Sequence, residues 1–300
     1  MRDYYGMEVE VESTRAFPTI FQIRYPIEGN PLISIVIPNK DHVADLRRCI
    51  GSILEKSTWK NYEVIVVENN SQEPSIRDYY EELKAHPEVR VVTYEGSFNY
   101  SKINNYGVTF AKGDYLLFLN NDTEVITPDW MEQMLMYAQR KDVGAVGAKL
   151  YYADNTIQHA GVVIGLGAHR SAGHTHYKMP KEHLGYMGRL CYAQDMTAVT
   201  AACLLTKRSI YEEVGGLDET FTISLNDVDF CLKIRKKGYL NIFTPFAELY
   251  HYESKTRGME EGEKLRRYEK ECAHFREKWK AELEAGDPYY NPNFSLDYSD

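Results

Sequence analysis

LLFLNNDTEV, residues 116–125, sets an apolar run that reads as a buried strand against Asn120-Asn121-Asp122 at its end. Polar side chains at the tip of a core strand cost desolvation energy unless they find partners. Either they form an ordinary turn, a use to which Asn and Asp are well suited, or they hold a ligand. A carboxylate beside side-chain amides suits a divalent cation that also carries a phosphate ligand. Such ions take one or two protein carboxylates and leave the remaining positions to phosphate oxygens and water.

The sequence around this stretch alternates in type. LISIVIP (32–38), YEVIVVE (62–68), VRVVTYE (89–95) and DYLLFLN (114–120) are short β-rich runs. Helical spacing fills the gaps at Asp41–Lys56, with Asp41 as a candidate N-cap, at Ser75–Ala85 and at Ser101–Ala111. This alternation predicts an α/β fold with a mostly parallel sheet and helices on both faces. Such sheets bind ligands beyond the carboxyl ends of their strands, at a topological switch point. Farther on, helices are predicted from Pro128 to Arg140, over Arg208–Val214 and over Asn226–Lys237, with a strand near 198–206. Residues 151–194 lose periodicity and read as a binding loop or lid. LYHYESKTRG (249–258) reads as a loop, and Glu260–Glu284 as a charged helix followed by a tail.

Composition narrows the classes. Apolar residues make up 43% of the 300-residue chain, enough for a substantial core. No run of 18 apolar residues occurs, and the start MRDYYGMEVEVE lacks the plan of a secretion signal, so a cytoplasmic protein is expected. A net charge of -9 without a basic stripe argues against nucleic acid as a partner. The five scattered cysteines form no CxxC pair, which argues against a disulfide framework or a zinc ribbon.

Three further polar clusters carry candidate chemistry. Glu68-Asn69-Asn70-Ser71 ends a predicted strand and is a turn, a cap or an acceptor for the imide of a pyrimidine ring. In Asn226-Asp227-Val228-Asp229 the two carboxylates point to different faces of a helix. One could take a proton from a hydroxyl nucleophile while the other caps or orients, and the plainer reading is N-capping of the helix by Asn226 or Asp227. His251-Tyr252-Glu253-Ser254-Lys255-Thr256-Arg257 offers an imidazole and diphosphate-binding groups, or is a polar loop. His169, His174 and His176 invite a zinc reading, against which stands the lack of nearby cysteine or acidic ligands. Tyr177, Tyr186 and Tyr192 are candidates for stacking on sugar rings or for packing the loop.

These pieces, with VTAACLLTKRSIYEEVGGLDETF and NDVDFCLKIRKKGY, occur in the order of a known family. From about residue 31 to 258 the chain resembles glycosyltransferase family 2, the inverting, metal-dependent transferases of the GT-A fold, and most of all bacterial members that build rhamnan or O-antigen chains. The resemblance implies a GT-A domain over 31–258, with a nucleotide-binding half at 31–125 and an acceptor-binding half at 126–258. An arm or linker at 1–30 precedes it, and a C-terminal helical extension and tail follow at 259–300. It implies that Pro38, Glu68, Asn69, Asn120, Asn121, Ser254 and Arg257 bind the donor, that Asp122 and His251 hold Mn2+ or Mg2+, and that Asp227 is the catalytic base. The implied donor is a UDP- or dTDP-sugar. The implied acceptor is a glycan or lipid-linked saccharide, with peripheral association at the inner face of the membrane. Glu68, Asn120 and Asn226 stand where the family has Asp, Asp and Glu. Those replacements motivate a competing reading, a non-catalytic module that binds a nucleotide sugar or glycan. A nucleotidyltransferase would want a glycine-rich loop after the first strand, where this chain has PNKDHVADLRR.

Overall fold

A computed structural model describes residues 8–14, 18–253 and 262–298 of the chain. The elements run β1 (Glu10–Ser13), β2 (Phe21–Arg24), β3 (Ile33–Asn39), α1 (Val43–Lys56), β4 (Tyr62–Glu68), α2 (Pro74–Leu83), β5 (Val89–Thr93), α3 (Tyr100–Val108), β6 (Tyr115–Leu119), β7 (Thr123–Val125) and α4 (Trp130–Ala138). They continue with β8 (Val143–Tyr151), β9 (Ile157–His159), β10 (Val162–Ile164), β11 (Ala172–His174), β12 (Gln194–Met196), β13 (Cys203–Lys207), α5 (Arg208–Glu213), α6 (Asn226–Lys236), β14 (Leu240–His251), α7 (Glu263–Lys278) and α8 (Lys280–Ala285).

A ten-stranded sheet forms the centre, in the order β12-β14-β8-β13-β6-β3-β4-β5, with β7 on β14 and β9 on β8. The expected parallel α/β unit is its β6-β3-β4-β5 side, where β3 pairs in parallel with both β4 and β6. Antiparallel β13 joins that unit to β8, which in turn runs parallel to β14. Strand alternation divides the interior into two cores. Ile33, Ile35 and Ile37 pack with α1, α2 and α4 on one face, whereas Val36, Ile65 and Val67 pack with α3, α5 and α6 on the other. Gly107 allows α3 to lie against the sheet, since a Cβ there would come within 2.6 Å of Val36 Cγ1.

Several sequence expectations need correction. Asp41 does not cap α1, which starts at Val43 behind His42 in the left-handed region (φ 54°) with no side-chain cap. Instead Asp41 Oδ1 accepts from the amides of Gln72 and Glu73, while Glu73 Oε2 accepts from the Val43 amide. Each acid thus serves the start of the other's helix, an exchange invisible to local pattern. Ala198 makes an isolated antiparallel bridge to Val162, residues 201–202 form a turn, and the strand placed near 198–206 starts at Cys203. Leu249–His251 belong to β14 rather than to a loop. Pro245 obscures that strand in sequence, and the ladder shifts register between Thr244 and Glu248, the kind of irregularity where a strand tolerates proline. Residues 151–194 are a packed β-containing segment, with Ile157, Val162, Val163 and Ile164 buried. The arm at 1–30 includes the β1–β2 hairpin and docks on α4, where Gln22 Nε2 donates to Gln133 Oε1 at 2.7 Å.

Candidate active site

The strand ends converge as the topology requires. Asn39 closes β3, Asn69 follows β4 and Asn120 follows β6, and the Asn69 amide donates to the Asn39 carbonyl at 2.9 Å. After Asp122 the chain turns back as β7 and pairs antiparallel with the end of β14, which sets Thr123 opposite His251. The Tyr252 amide donates to the Asp122 carbonyl at 2.9 Å. This pairing brings together Asn120 and His251, 131 residues apart in sequence. His251 Nε2 lies 3.1 Å from Asp122 Oδ1 and 3.1 Å from Asn120 Nδ2. Both Asp122 and His251 are buried, at 8% and 4% exposure.

The ring orientation carries information. Gln158 Oε1 faces His251 Nδ1 at 2.8 Å, and an amide oxygen can only accept. Nδ1 therefore carries the proton, and in the neutral ring Nε2 presents a lone pair to the Asp122 carboxylate. The Asn120 amide agrees, since its Nδ2 faces Nε2 at 3.1 Å. A lone pair and a carboxylate oxygen at that separation attract only through a proton or a cation between them. Two ligands bound at right angles to an ion at about 2.1 Å lie about 3 Å apart. The pair fits a divalent cation, with Gln158 in the outer role of fixing the ring tautomer. Among the described residues no group of three or more His, Cys, Asp and Glu side chains is arranged to hold a metal. The protein thus offers a pair of ligands, as is usual where phosphate completes the shell.

A cleft of about 370 Å³ opens at this edge, lined by Pro38, Asn39, Asn69, Asn120, Asn121, Asp122 and His251, with Phe98 on its wall. His42 and Glu253 also line it, with Lys40, Lys264 and Arg267 as a cationic rim suited to an anionic ligand. Asn121 Nδ2 donates to Asn39 Oδ1 at 2.6 Å, so its amide braces the β3 end. Asn69 Nδ2 donates to the carbonyls of Tyr94 and Gly96 at 3.0 and 2.8 Å. Glu68 is not brought into the cleft lining. Its carboxylate accepts from the Ser71 amide and hydroxyl at 2.6 and 2.7 Å and from the Tyr80 hydroxyl, and it organises the turn after β4. Ser254 and Arg257 lie outside the described residues.

A larger cavity of about 570 Å³ adjoins the cleft and shares Tyr100, Asn120, Ile223 and His251 with it. Asp227 is on its wall, in the first turn of α6. Asp227 Oδ2 accepts from the Thr200 hydroxyl at 2.9 Å and the Ala201 amide at 3.1 Å, and Oδ1 from the Val228 amide at 2.9 Å. The two α6 carboxylates do face different ways. Asp229 is fully buried and accepts from Trp279 Nε1 at 2.8 Å and Lys278 Nζ at 2.6 Å. Neither Asn226 nor Asp227 caps the helix through its side chain, since Leu225 holds that position at φ 64°. The Asn226 amide donates to the Ile223 carbonyl at 2.9 Å.

The histidines of the 151–194 segment do not assemble as a metal site. His174 Nδ1 pairs with His159 Nδ1 at 2.9 Å, His169 packs on Tyr268, and burial pushes the His176 imidazole down to about 4. Tyr177 lines the larger cavity, Tyr186 stacks on Phe294 away from it, and Tyr192 lines neither space. Gln158, Thr200, Lys264 and Arg267 were missed in sequence. Gln158 sits in a stretch without periodicity, Thr200 in a segment that reads as a plain strand, and the last two in a heavily charged helix.

A parallel unit whose strand ends meet a carboxylate–histidine pair, a cationic rim and a second carboxylate across the cleft defines a GT-A-type glycosyltransferase domain. The chain belongs to glycosyl transferase family 2, whose family model matches residues 34–215. It is 46% identical to an uncharacterized protein of Sinorhizobium fredii over 94% of this chain and 31% of that protein. It is 35% identical to the O-antigen biosynthesis protein RfbC of Myxococcus xanthus over 96% of this chain and 22% of RfbC. The chain therefore spans a third or less of these relatives' lengths. Among solved structures, GalNAc-T7 with UDP, GalNAc and Mn2+ superposes with a TM-score of 0.66 at 15% identity, covering 85% of this chain and 50% of that one.

Proposed function

We propose that this domain transfers a sugar, with inversion, from a UDP- or dTDP-sugar to a hydroxyl of a glycan or lipid-linked acceptor in bacterial surface polysaccharide synthesis. The observation that carries the reading is the Asp122–His251 pair at 3.1 Å, in a cleft that opens directly onto the Asp227 cavity. The O-antigen role of RfbC and the UDP and Mn2+ named with GalNAc-T7 support the setting and the donor class. A cytoplasmic site at the inner membrane face follows from that acceptor class.

The donor's diphosphate lies along Lys40, Lys264 and Arg267, with its base toward Pro38 and Asn69. Asp122 and His251 would hold Mn2+ or Mg2+. When bound, such an ion supplies Lewis-acid neutralisation of the departing diphosphate. Asp227 receives the proton of the acceptor hydroxyl as that oxygen bonds to the anomeric carbon. The bond from this carbon to the phosphate oxygen breaks on the opposite face, and the nucleoside diphosphate leaves. Thr200 and the Ala201 amide hold Oδ2 of the base, and the Val228 amide holds Oδ1, which keeps a second lone pair for the proton. Calorimetry of UDP, dTDP and GDP with and without Mn2+ tests the reading. Metal-dependent binding of UDP or dTDP is expected, and absence of binding by all three overturns it.

A further inference from the structure

Glu271 lies on the inner side of α7, at 6% exposure. Its Oε1 accepts from the backbone amides of Thr222 at 2.7 Å and Ile223 at 3.1 Å and from the Thr222 hydroxyl. Its Oε2 accepts from the Ser224 amide at 2.9 Å. A carboxylate is costly to bury, and charge-assisted bonds from several donors offset that cost. The bend they hold leads straight into Leu225, which sits in the left-handed region at φ 64°, and then into Asn226 and Asp227. A leucine keeps that conformation only when its surroundings over-determine it.

The same segment closes a ring around the base. The Thr222 carbonyl accepts from the Tyr100 amide at 2.7 Å. The Tyr100 hydroxyl donates to the Ala201 carbonyl at 3.0 Å, and the Ala201 amide donates to Asp227 Oδ2 at 3.1 Å. Asp227 is thus tied to Thr222 from two directions: along the chain through Ile223–Asn226, and across space through Tyr100 and Ala201. Glu271 fixes Thr222. The α7–α8 junction is tied to α6 elsewhere, by Trp279 and Lys278 to Asp229, so Glu271 is not needed to dock the C-terminal helices on α6.

We infer that Glu271 is a positioning residue for the acceptor-deprotonating carboxylate, holding 222–225 so that Asp227 faces the acceptor. The inference rests on the proposed role of Asp227. It makes the C-terminal helix part of the catalytic apparatus, although the family match ends at residue 215.

Glu271→Gln tests it. This change keeps the size but turns one acceptor into an N–H group facing backbone N–H groups. The assay is release of nucleoside diphosphate from UDP-N-acetylglucosamine, UDP-galactose and dTDP-rhamnose with Mn2+, using whichever the unaltered protein turns over. Glu271→Gln is expected to lower kcat about 10- to 100-fold, with the calorimetric Kd for that nucleotide changed less than threefold. Trp279→Phe, which removes one bond to Asp229, is the structural control: it should lower the melting temperature and leave kcat within about twofold. If Glu271→Gln does not fold, Thr222→Val deletes one donor to Oε1 and is expected to lower kcat several-fold. Wild-type kcat in a folded Glu271→Gln protein, or an equal loss in Trp279→Phe, overturns the inference alone. Wild-type turnover in Asp227→Asn overturns the reading beneath it and the inference with it.

Discussion

Pro38, Asn69 and Asn120 stand at the ends of neighbouring parallel strands, each directly after an apolar run of its own. Asp227 depends on Tyr100, the adjacent Thr200 and Ala201, and Thr222, drawn from three separate stretches of chain. The proposed donor edge is therefore a product of strand register, and the proposed acceptor wall a product of loop-to-loop hydrogen bonds. A register error is resisted by every buried side chain along a strand, whereas a loop network can fail at a single bond. The donor edge should tolerate single changes better, except at the ligand pair, and the acceptor wall should be sensitive at each tie.

The sharpest break comes at the base itself. Asp227→Asn should lower turnover by about 10²- to 10⁴-fold, the usual worth of general-base catalysis, while UDP binding in calorimetry stays near the unaltered value. Weakened nucleotide binding in that variant would mean the two sides are not separable. Next is the outer support of the ligand pair. Gln158→Leu removes the acceptor for His251 Nδ1 and should weaken Mn2+ affinity about 10- to 100-fold. Equal Mn2+ titrations of the two proteins would show that β-pairing alone orients the ring.

Stability should divide along the same line. Burial holds His176, in the acceptor-side segment, at about 4 against an ordinary 6.5. Between those values the unfolded chain binds a proton that the folded protein refuses, so stability is full above 6.5 and falls as pH drops toward 4. From pH 7 to pH 5 the loss is about 2 kcal/mol. His176→Phe should flatten that slope in urea unfolding, and parallel slopes would count against the assignment. The smallest effect is on the donor edge. Asn121→Ala leaves buried Asn39 Oδ1 without the Asn121 bond and should cost about 1 kcal/mol, read as a shifted urea midpoint with nucleotide affinity nearly unchanged.

How far the chain could be read follows from the same contrast. Continuous apolar runs ended at the cleft, so Pro38, Asn69, Asn120 and Asp122 were legible as strand-end residues, and the family resemblance supplied their implied roles. Glu68 stood in the right place, yet its carboxylate turned to Ser71 and Tyr80, because a nearby hydroxyl and amide compete for any strand-end acid. Asp41 showed the converse, an apparent cap for its own helix that serves the start of another. Gln158 lay in a stretch where no periodic pattern exists, Thr200 in a segment that reads as a strand rather than as the turn-side tie it is, and Glu271 was one acid among many in a charged helix.

The sequence by itself determined the alternating α/β order, the two cores and the polar ends of the strands, because burial on a sheet imposes a short period that a chain cannot hide. Tertiary structure alone decided that His251 meets Asp122, that Gln158 sets its tautomer and that Glu271 grips the segment before Asp227. Those contacts join residues tens to more than a hundred positions apart, and their partners follow from strand pairing and loop closure rather than from any local preference of the residues themselves.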